Sequence, residues 1–198
     1  NLDEKLLEGL ITEKTKAIYV VHYAGVGCEM DEILRIADRH GIPVVEDNAH
    51  GLFGKYKARM LGTFGVMATQ SFHETKNYMC GQGGALCIND ERFRARAEIL
   101  RDKGTNRQKF FRGEVDKYTW VDLGSSWVVS DVLAAFLLAQ LEQRAAIQTR
   151  RREIWERYDE ELADWADREG IRRPFVPVEA GQAWHMYYLL LPTLEDRQ

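Results

Sequence analysis

Val44-Val45-Glu46-Asp47-Asn48-Ala49-His50 is the stretch on which the reading of this chain turns. Residues 42–45 are a short apolar, β-branched run that ends in two acids, the pattern of a buried strand opening into a polar loop. Upstream, Met30, Ile33, Leu34 and Ala37 form one helical face, and Gly41 supplies the stop signal. Before that helix, residues 17–21 form a second buried strand. Strand, helix and strand at this spacing make a βαβ unit, with parallel pairing and a right-handed crossover. Downstream, the Gly-rich residues 51–65 read as loop or short strands, and residues 68–72 and 85–88 as two further strands. The connection between those two, residues 73–84, is too short for a crossover helix, so this pair is expected to be antiparallel or offset. The fold class is α/β: a mostly parallel sheet flanked by helices.

The rest of the chain is organised around that unit. Leu2, Leu6, Leu7, Leu10 and Ile11 mark a first helix, and residues 91–102 another. Residues 103–126 have little periodicity and many Gly, Arg and aromatic residues, which points to a functional or interfacial loop. Ser130 reads as the N-cap of a long helix. That helix is apolar nearly all round over residues 132–141, which predicts burial on more than one side. Beyond Glu142 it becomes amphipathic, with Ile147, Ile154, Tyr158, Leu162 and Trp165 on one stripe. Residues 186–191 read as a strand of a second domain. The expected division is 1–145 for one partial large domain, and 146–198 for a connecting helix and the start of a smaller C-terminal domain. A chain that opens on Asn1, directly in a helical pattern, and stops just after a strand-like run is expected of a segment of a longer protein.

Composition narrows the function classes. In 198 residues, Lys+Arg is 27 against Asp+Glu 31, a net charge of −4, which argues against a nucleic-acid or anionic-membrane partner. With 45% hydrophobic and 29% charged residues there is enough apolar side chain for a core, which excludes disorder. The three cysteines, Cys28, Cys80 and Cys87, form no CxxC and suggest no disulfide framework, usage that suits a reducing cytoplasm. The longest apolar run, residues 132–139, is too short to span a bilayer.

In open α/β sheets ligands bind beyond the carboxyl ends of the strands. The residues found there are His22-Tyr23-Ala24-Gly25, Glu46-Asp47-Asn48-Ala49-His50 and His73-Glu74-Thr75-Lys76-Asn77. Acids, imidazoles and one lysine are thus expected along one edge of one sheet. Lys76 has two readings: a solvated surface lysine, the commoner case for Lys, or a Schiff-base lysine served by an acid that holds a cofactor ring nitrogen. Asp47 is the candidate acid, and equally a turn cap. His50 and His73, read singly, are structural. Gly81, Gly83 and Gly84 suit a tight turn as well as close cofactor approach. No GxGxxG, GxxxxGK[ST] or HExxH element is present, which argues against dinucleotide, P-loop or zincin chemistry. A metal held by His22, His50, His73 and Asp47 lacks the helical His pair that would support it.

These strings together carry a resemblance. Glu46-Asp47-Asn48-Ala49-His50, then Ser71-Phe72-His73-Glu74-Thr75-Lys76, then Gly81-Gln82-Gly83-Gly84-Ala85, resemble the pyridoxal-phosphate-dependent nucleotide-sugar aminotransferases of the DegT/StrS type. The resemblance implies a fold type I transferase large domain with pyridoxal 5'-phosphate as cofactor. It implies that Lys76 carries the cofactor and is the catalytic residue, that Asp47 pairs with the pyridinium nitrogen, and that His50 bonds the phenolic oxygen. It places Ser71 near the cofactor phosphate. Ser126 stands where the family carries the Asn by which the partner subunit reaches that phosphate, which implies a homodimer with a shared active site. The family's upstream phosphate-cradling loop would precede residue 1.

Lys103-Gly104-Thr105-Asn106-Arg107, Phe110-Phe111-Arg112-Gly113 and Val115-Asp116-Lys117-Tyr118-Thr119-Trp120 narrow the resemblance. They point to the branch that aminates a nucleotide-linked 4-keto-6-deoxy sugar, with dTDP-4-keto-6-deoxyglucose as substrate and L-glutamate as donor, for surface-polysaccharide (lipopolysaccharide) synthesis in the cytoplasm. A diphosphate calls for basic residues at its entrance. Lys103, Arg107, Arg112 and Lys117 are the candidates, with His73, for substrate binding. A related branch dehydrates deoxysugars with histidine in place of the lysine, and Lys76 argues against it. A non-catalytic fragment of the same fold is the remaining alternative.

Overall fold

The computed structural model describes all of residues 1–198. In chain order it forms α1 (Glu4–Leu10), β1 (Ile18–Val21), α2 (Met30–His40), β2 (Val44–Asp47), the short strands β3 (Lys55–Tyr56) and β4 (Arg59–Met60), β5 (Met67–Ser71) and β6 (Gly84–Ile88). Helices α3 (Arg94–Arg101), α4 (Arg107–Phe111), α5 (Asp131–Glu142) and α6 (Arg144–Arg168) follow, then β7 (Ala180–Gly181) and α7 (Leu194–Arg197).

The main sheet has the order β1-β2-β5-β6. The first three strands are parallel and β6 runs antiparallel to β5, as the short connection requires. The register aligns Val21 with Asp47 and Asp47 with Thr69, so all three parallel strands end along one edge. Because side chains alternate along a strand, Asp47, Thr69 and Ser71 share one face, while Glu46, Ala68 and Gln70 share the other.

Helix α2 explains why that second face is the core. Asp31 and Glu32 lie in its first turn and Arg39 and His40 in its last, each sign suited to the helix dipole. Gly41 closes it at φ 64°, donating its backbone N–H to the carbonyls of Ala37 and Asp38. Met30, Ile33, Ile36 and Ala37 pack on Ile18, Val20 and Val44, joined by Leu7, Cys28, Tyr56 and Leu61. Each fully buried Ile here is worth about 1.5–3 kcal/mol. On the opposite face Tyr19, Val21 and Leu86 are exposed, while Val45 is buried.

Four expectations need correction. The long helix after Ser130 is two helices, broken at Gln143 (φ −92°, ψ 12°). Ser130 does cap the first, its hydroxyl accepting from the Leu133 N–H. No residue of α5 is buried, because nothing in this chain covers its apolar surface. Residues 186–191 join no sheet and contribute only an isolated bridge between Leu190 and Arg172. Of their backbone groups α6 bonds only the Met186 carbonyl, through Trp155 Nε1. The 91–102 segment begins as a 3-10 turn, Glu91–Phe93, before α3. No helix is long and apolar enough to cross a membrane.

Candidate active site

Asp47 is the last residue of β2 and is half-buried. Its Oδ1 accepts from the Ala49 N–H at 3.0 Å. The turn-cap reading is therefore correct for that oxygen. Oδ2 has no donor and no cation pairs with the carboxylate, so one oxygen remains for a ligand.

The turn after β5 presents Lys76. Phe72 N–H bonds to Gly83 O at 2.8 Å, Cys80 N–H to Phe72 O at 2.9 Å, and Glu74 N–H to Gly81 O at 3.0 Å. These bonds extend the β5–β6 ladder into the connection. Gly83 and Gly84 are needed for that closure: a Cβ on Gly83 would sit 2.7 Å from Cys80 Sγ, and one on Gly84 would sit 2.9 Å from Gln70 O. Lys76 N–H bonds to His73 O at 2.9 Å, which closes the turn while the half-buried ammonium makes no hydrogen bond or ion pair. Ser71 Oγ accepts from the His73 N–H at 3.4 Å. His73 Nδ1 faces Thr75 within the same turn.

His50 completes the group. Its Nδ1 accepts from the Ala24 N–H at 3.2 Å, so in the neutral ring the proton sits on Nε2, which is free to donate. Burial first, and then the Lys76 charge, push the imidazole below its ordinary range, with Asp47 pulling the other way. Lys76 and Asp47 thus both act on His50.

A residue not foreseen from the sequence joins it. His185 stacks on His50 with ring centroids 4.1 Å apart and an angle of 22°. Its Nδ1 lies 2.7 Å from Asn77 Oδ1. Only the His-Met-Tyr string in an extended run could have hinted at it, and periodicity gave it no site role.

His22 and Glu46 do not join this edge. They face each other in the core, consistent with the strand alternation. No group of three or more His, Cys, Asp or Glu side chains comes together to hold a metal ion. The basic candidates lie apart. Lys103 and Arg107 approach the buried Asp102, at 3.4 and 3.7 Å, and Arg112 pairs with Glu98 and Glu114. Lys117 is exposed and has no acidic partner. Ser126 is exposed and bridges to Asp102, with no hydrogen bond to Asp47, His50, Ser71 or Lys76. A cavity of about 410 Å³ beside Tyr23 and Ala24 carries Glu4 and Glu29 but no basic residue, so it does not suit a diphosphate.

The donor set fits pyridoxal phosphate: a lysine without a carboxylate partner, a carboxylate oxygen without a cation, an Nε2–H, and a serine at the same sheet edge. The comparisons agree. The chain is 37% identical to the uncharacterized protein MJ1066 of Methanocaldococcus jannaschii over 194 residues, 96% of this chain and 50% of that protein. It is 35% identical to the spore coat polysaccharide biosynthesis protein SpsC of Bacillus subtilis over 192 residues, 96% of this chain and 49% of SpsC. It superimposes on the putative sugar aminotransferase Spr1654 of Streptococcus pneumoniae, solved in PLP and PMP forms. For the PLP form the TM-score is 0.86 at 26% identity, covering 99% of this chain and 53% of that one. This chain spans about half the length of the relatives it matches. The model of the DegT/DnrJ/EryC1/StrS aminotransferases matches residues 1–198, and the chain belongs to that family.

Proposed function

We propose that this chain carries the lysine and the cofactor-ring contacts of a pyridoxal-phosphate-dependent sugar aminotransferase. The observation that carries the reading is an unpaired Lys76 ammonium and a free Asp47 oxygen, each close enough to act on the charge of His50, whose Nε2–H is free to donate. When bound, the cofactor supplies a carbonyl for Lys76 Nζ and a ring that withdraws electrons. Asp47 keeps a proton on the ring nitrogen through a charge-assisted hydrogen bond. His50 Nε2–H donates to the phenolic oxygen, and Ser71 serves the phosphate. With the cofactor bound, Lys76 Nζ would move a proton between the amino donor's α-carbon and the cofactor's imine carbon, and in the second half-reaction from that carbon to the sugar carbon.

The substrate we infer is a nucleotide-linked 4-keto-6-deoxy sugar, with L-glutamate as donor, in cytoplasmic surface-polysaccharide synthesis. The strings around Lys103, Arg112 and Lys117 favour a dTDP-4-amino-4,6-dideoxygalactose transaminase. Lys103, Arg107, Arg112, Lys117 and His73 are the proposed sugar-nucleotide contacts. The uncovered apolar surface of α5 supports a homodimer in which Ser126 reaches the partner's cofactor. We also propose that residues 1–145 form the cofactor-binding portion and 146–198 the start of a smaller domain.

Borohydride reduction with pyridoxal phosphate, followed by peptide mapping, tests the reading. A pyridoxyl group on residue 76 is expected, with loss of label and turnover in Lys76→Ala. Label on another lysine, or turnover retained in Lys76→Ala, overturns it.

A further inference from the structure

Residues 183–186 lie as a strap against the Lys76 turn, and their carbonyls are all engaged. Ala183 O accepts from Asn77 Nδ2 at 2.6 Å and from Gln148 Nε2 at 3.1 Å. Arg151 donates through Nε to Trp184 O at 3.0 Å and through a terminal nitrogen to His185 O at 2.5 Å. Trp155 Nε1 donates to Met186 O at 3.1 Å. Gln148, Arg151 and Trp155 recur at helical spacing on α6, so one helix face holds the whole strap. Trp184 adopts φ 55°, a left-handed conformation that is strained for a residue with a side chain. The strap tolerates that strain because every flanking carbonyl is tied down, and the bend lays His185 flat on His50.

The hydrogen bonds assign the protons. Asn77 donates its Nδ2 to Ala183 O, so its Oδ1 is an acceptor, and His185 Nδ1 must carry the hydrogen. His50 carries its proton on Nε2, because Nδ1 accepts from Ala24. The stack therefore pairs two neutral rings of opposite tautomer. Burial first, and then the charges of His50, Lys76 and Arg151, push His185 down to about 3, so it stays uncharged beside Lys76.

We propose that His185 is a positioning residue for His50: stacked on its ring and anchored through Asn77 to the Lys76 turn, it aims the His50 Nε2–H at the cofactor's phenolic oxygen. Without it, His50 keeps only the Ala24 hydrogen bond and the edge of the exposed Tyr23 ring, 5.2 Å away. A ring held along a single bond can tilt about it, and a misplacement of about 1 Å can cost about 100-fold in rate. The lysine and the phenol donor are thus set by one structure, Lys76–Asn77···His185 on His50. The target of His50 rests on the aminotransferase reading, whereas the stack and the tautomers do not.

A long-range proton–nitrogen NMR spectrum of the intact, cofactor-free protein is expected to show Nε2–H at His50 and Nδ1–H at His185. In His185→Ala the Ala24 bond keeps the His50 tautomer, while the ring, no longer stacked, is expected to tilt, shifting and broadening its Nε2–H and carbon-bound proton signals. Turnover should fall about 10- to 100-fold while borohydride still labels residue 76. His185→Gln, a flat donor for Asn77 Oδ1, is expected to recover part of that loss, and it carries the comparison if His185→Ala does not fold. The opposite tautomer at either ring overturns the proposal, as does a His185→Ala protein with an unchanged His50 spectrum and turnover within about twofold. Absence of label at residue 76 in the unsubstituted protein would instead defeat the aminotransferase reading, and the tautomers would still decide on the stack.

Discussion

The His22 imidazole and the Glu46 carboxylate meet at 2.9 Å with neither side chain exposed to solvent. His22 Nδ1 accepts from the Cys28 N–H at 3.2 Å, so Nε2–H donates to Glu46. Glu46 also accepts from the backbone N–H groups of Gly62, Phe64 and Gly65 at 2.7, 2.6 and 2.7 Å. One carboxylate thus joins β2, the loop after β1 and the loop before β5, and Asp47 is the next residue on the same strand.

Glu46→Ala removes the acceptor for four donors, three of them buried. A destabilisation of about 3–5 kcal/mol is expected, as for a broken buried pair. Glu46→Gln keeps one acceptor but sets its amide against donors, for about 1–3 kcal/mol. Urea unfolding measures both. A loss well under about 1 kcal/mol in Glu46→Ala would show that the loops are held by other contacts.

Acid stability follows from the same group. Burial raises the Glu46 pKa, but the bonds from His22, Gly65 and Gly62 outweigh it, and the net value lies below the ordinary 4.5. A depressed folded pKa contributes stability above the unfolded value, and that stability is lost as pH falls through the folded one. Stability should therefore decline below about pH 4.5, and Glu46→Gln should flatten that limb. Unfolding midpoints from pH 3 to 6 that run parallel for both proteins would contradict this, the range being about 1.5 units either side of that value.

Asp47→Asn keeps the acceptor for the Ala49 N–H and removes the charge. The fold should persist while turnover falls at least about 100-fold. Circular dichroism and steady-state kinetics separate the two effects, and near-normal turnover would reduce Asp47 to its turn-capping role.

Gly104 and Gly124 cross backbone to backbone. A Cβ on Gly124 would lie 2.0 Å from Gly104 N, and one on Gly104 (φ +73°) would lie 1.9 Å from Asp122 O. Neither contact can yield, so Gly124→Ala should open the 103–126 segment to limited proteolysis and lower the melting temperature. Gly9 in α1 has nothing within 4 Å of its would-be Cβ, and Gly9→Ala should stabilise by about 0.5–1 kcal/mol. Equal proteolysis of Gly124→Ala and the unsubstituted protein would refute the crossing.

Helix α5 buries no residue, and Val132, Phe136 and Leu138 are 78%, 50% and 57% exposed. An apolar surface of this kind calls for a partner. Light scattering is expected to give at least a dimer, and Phe136→Asp to shift it toward monomer. A monomeric unsubstituted protein would remove the shared-site proposal.

Short-range patterns in the chain were enough for the βαβ unit, the antiparallel β5–β6 pair, the stop at Gly41 and the cap at Ser130. Each depends on residues within a few turns of one another: apolar spacing, a glycine, a hydroxyl. The same patterns put Asp47 and Lys76 at strand ends, and motif resemblance assigned their roles. What they could not decide was set by contacts between distant residues. Asn77 and His185 lie 108 residues apart, and no local propensity records that pairing. The face of α6 that holds the strap is polar, Gln148 and Arg151 with Trp155, because it binds carbonyls. A search for an apolar stripe therefore selected Ile154, Tyr158 and Trp165, which are exposed. Adjacent acids looked alike in the sequence, yet sheet register sent Glu46 into the core and left Asp47 at the open edge, because successive strand side chains face opposite ways.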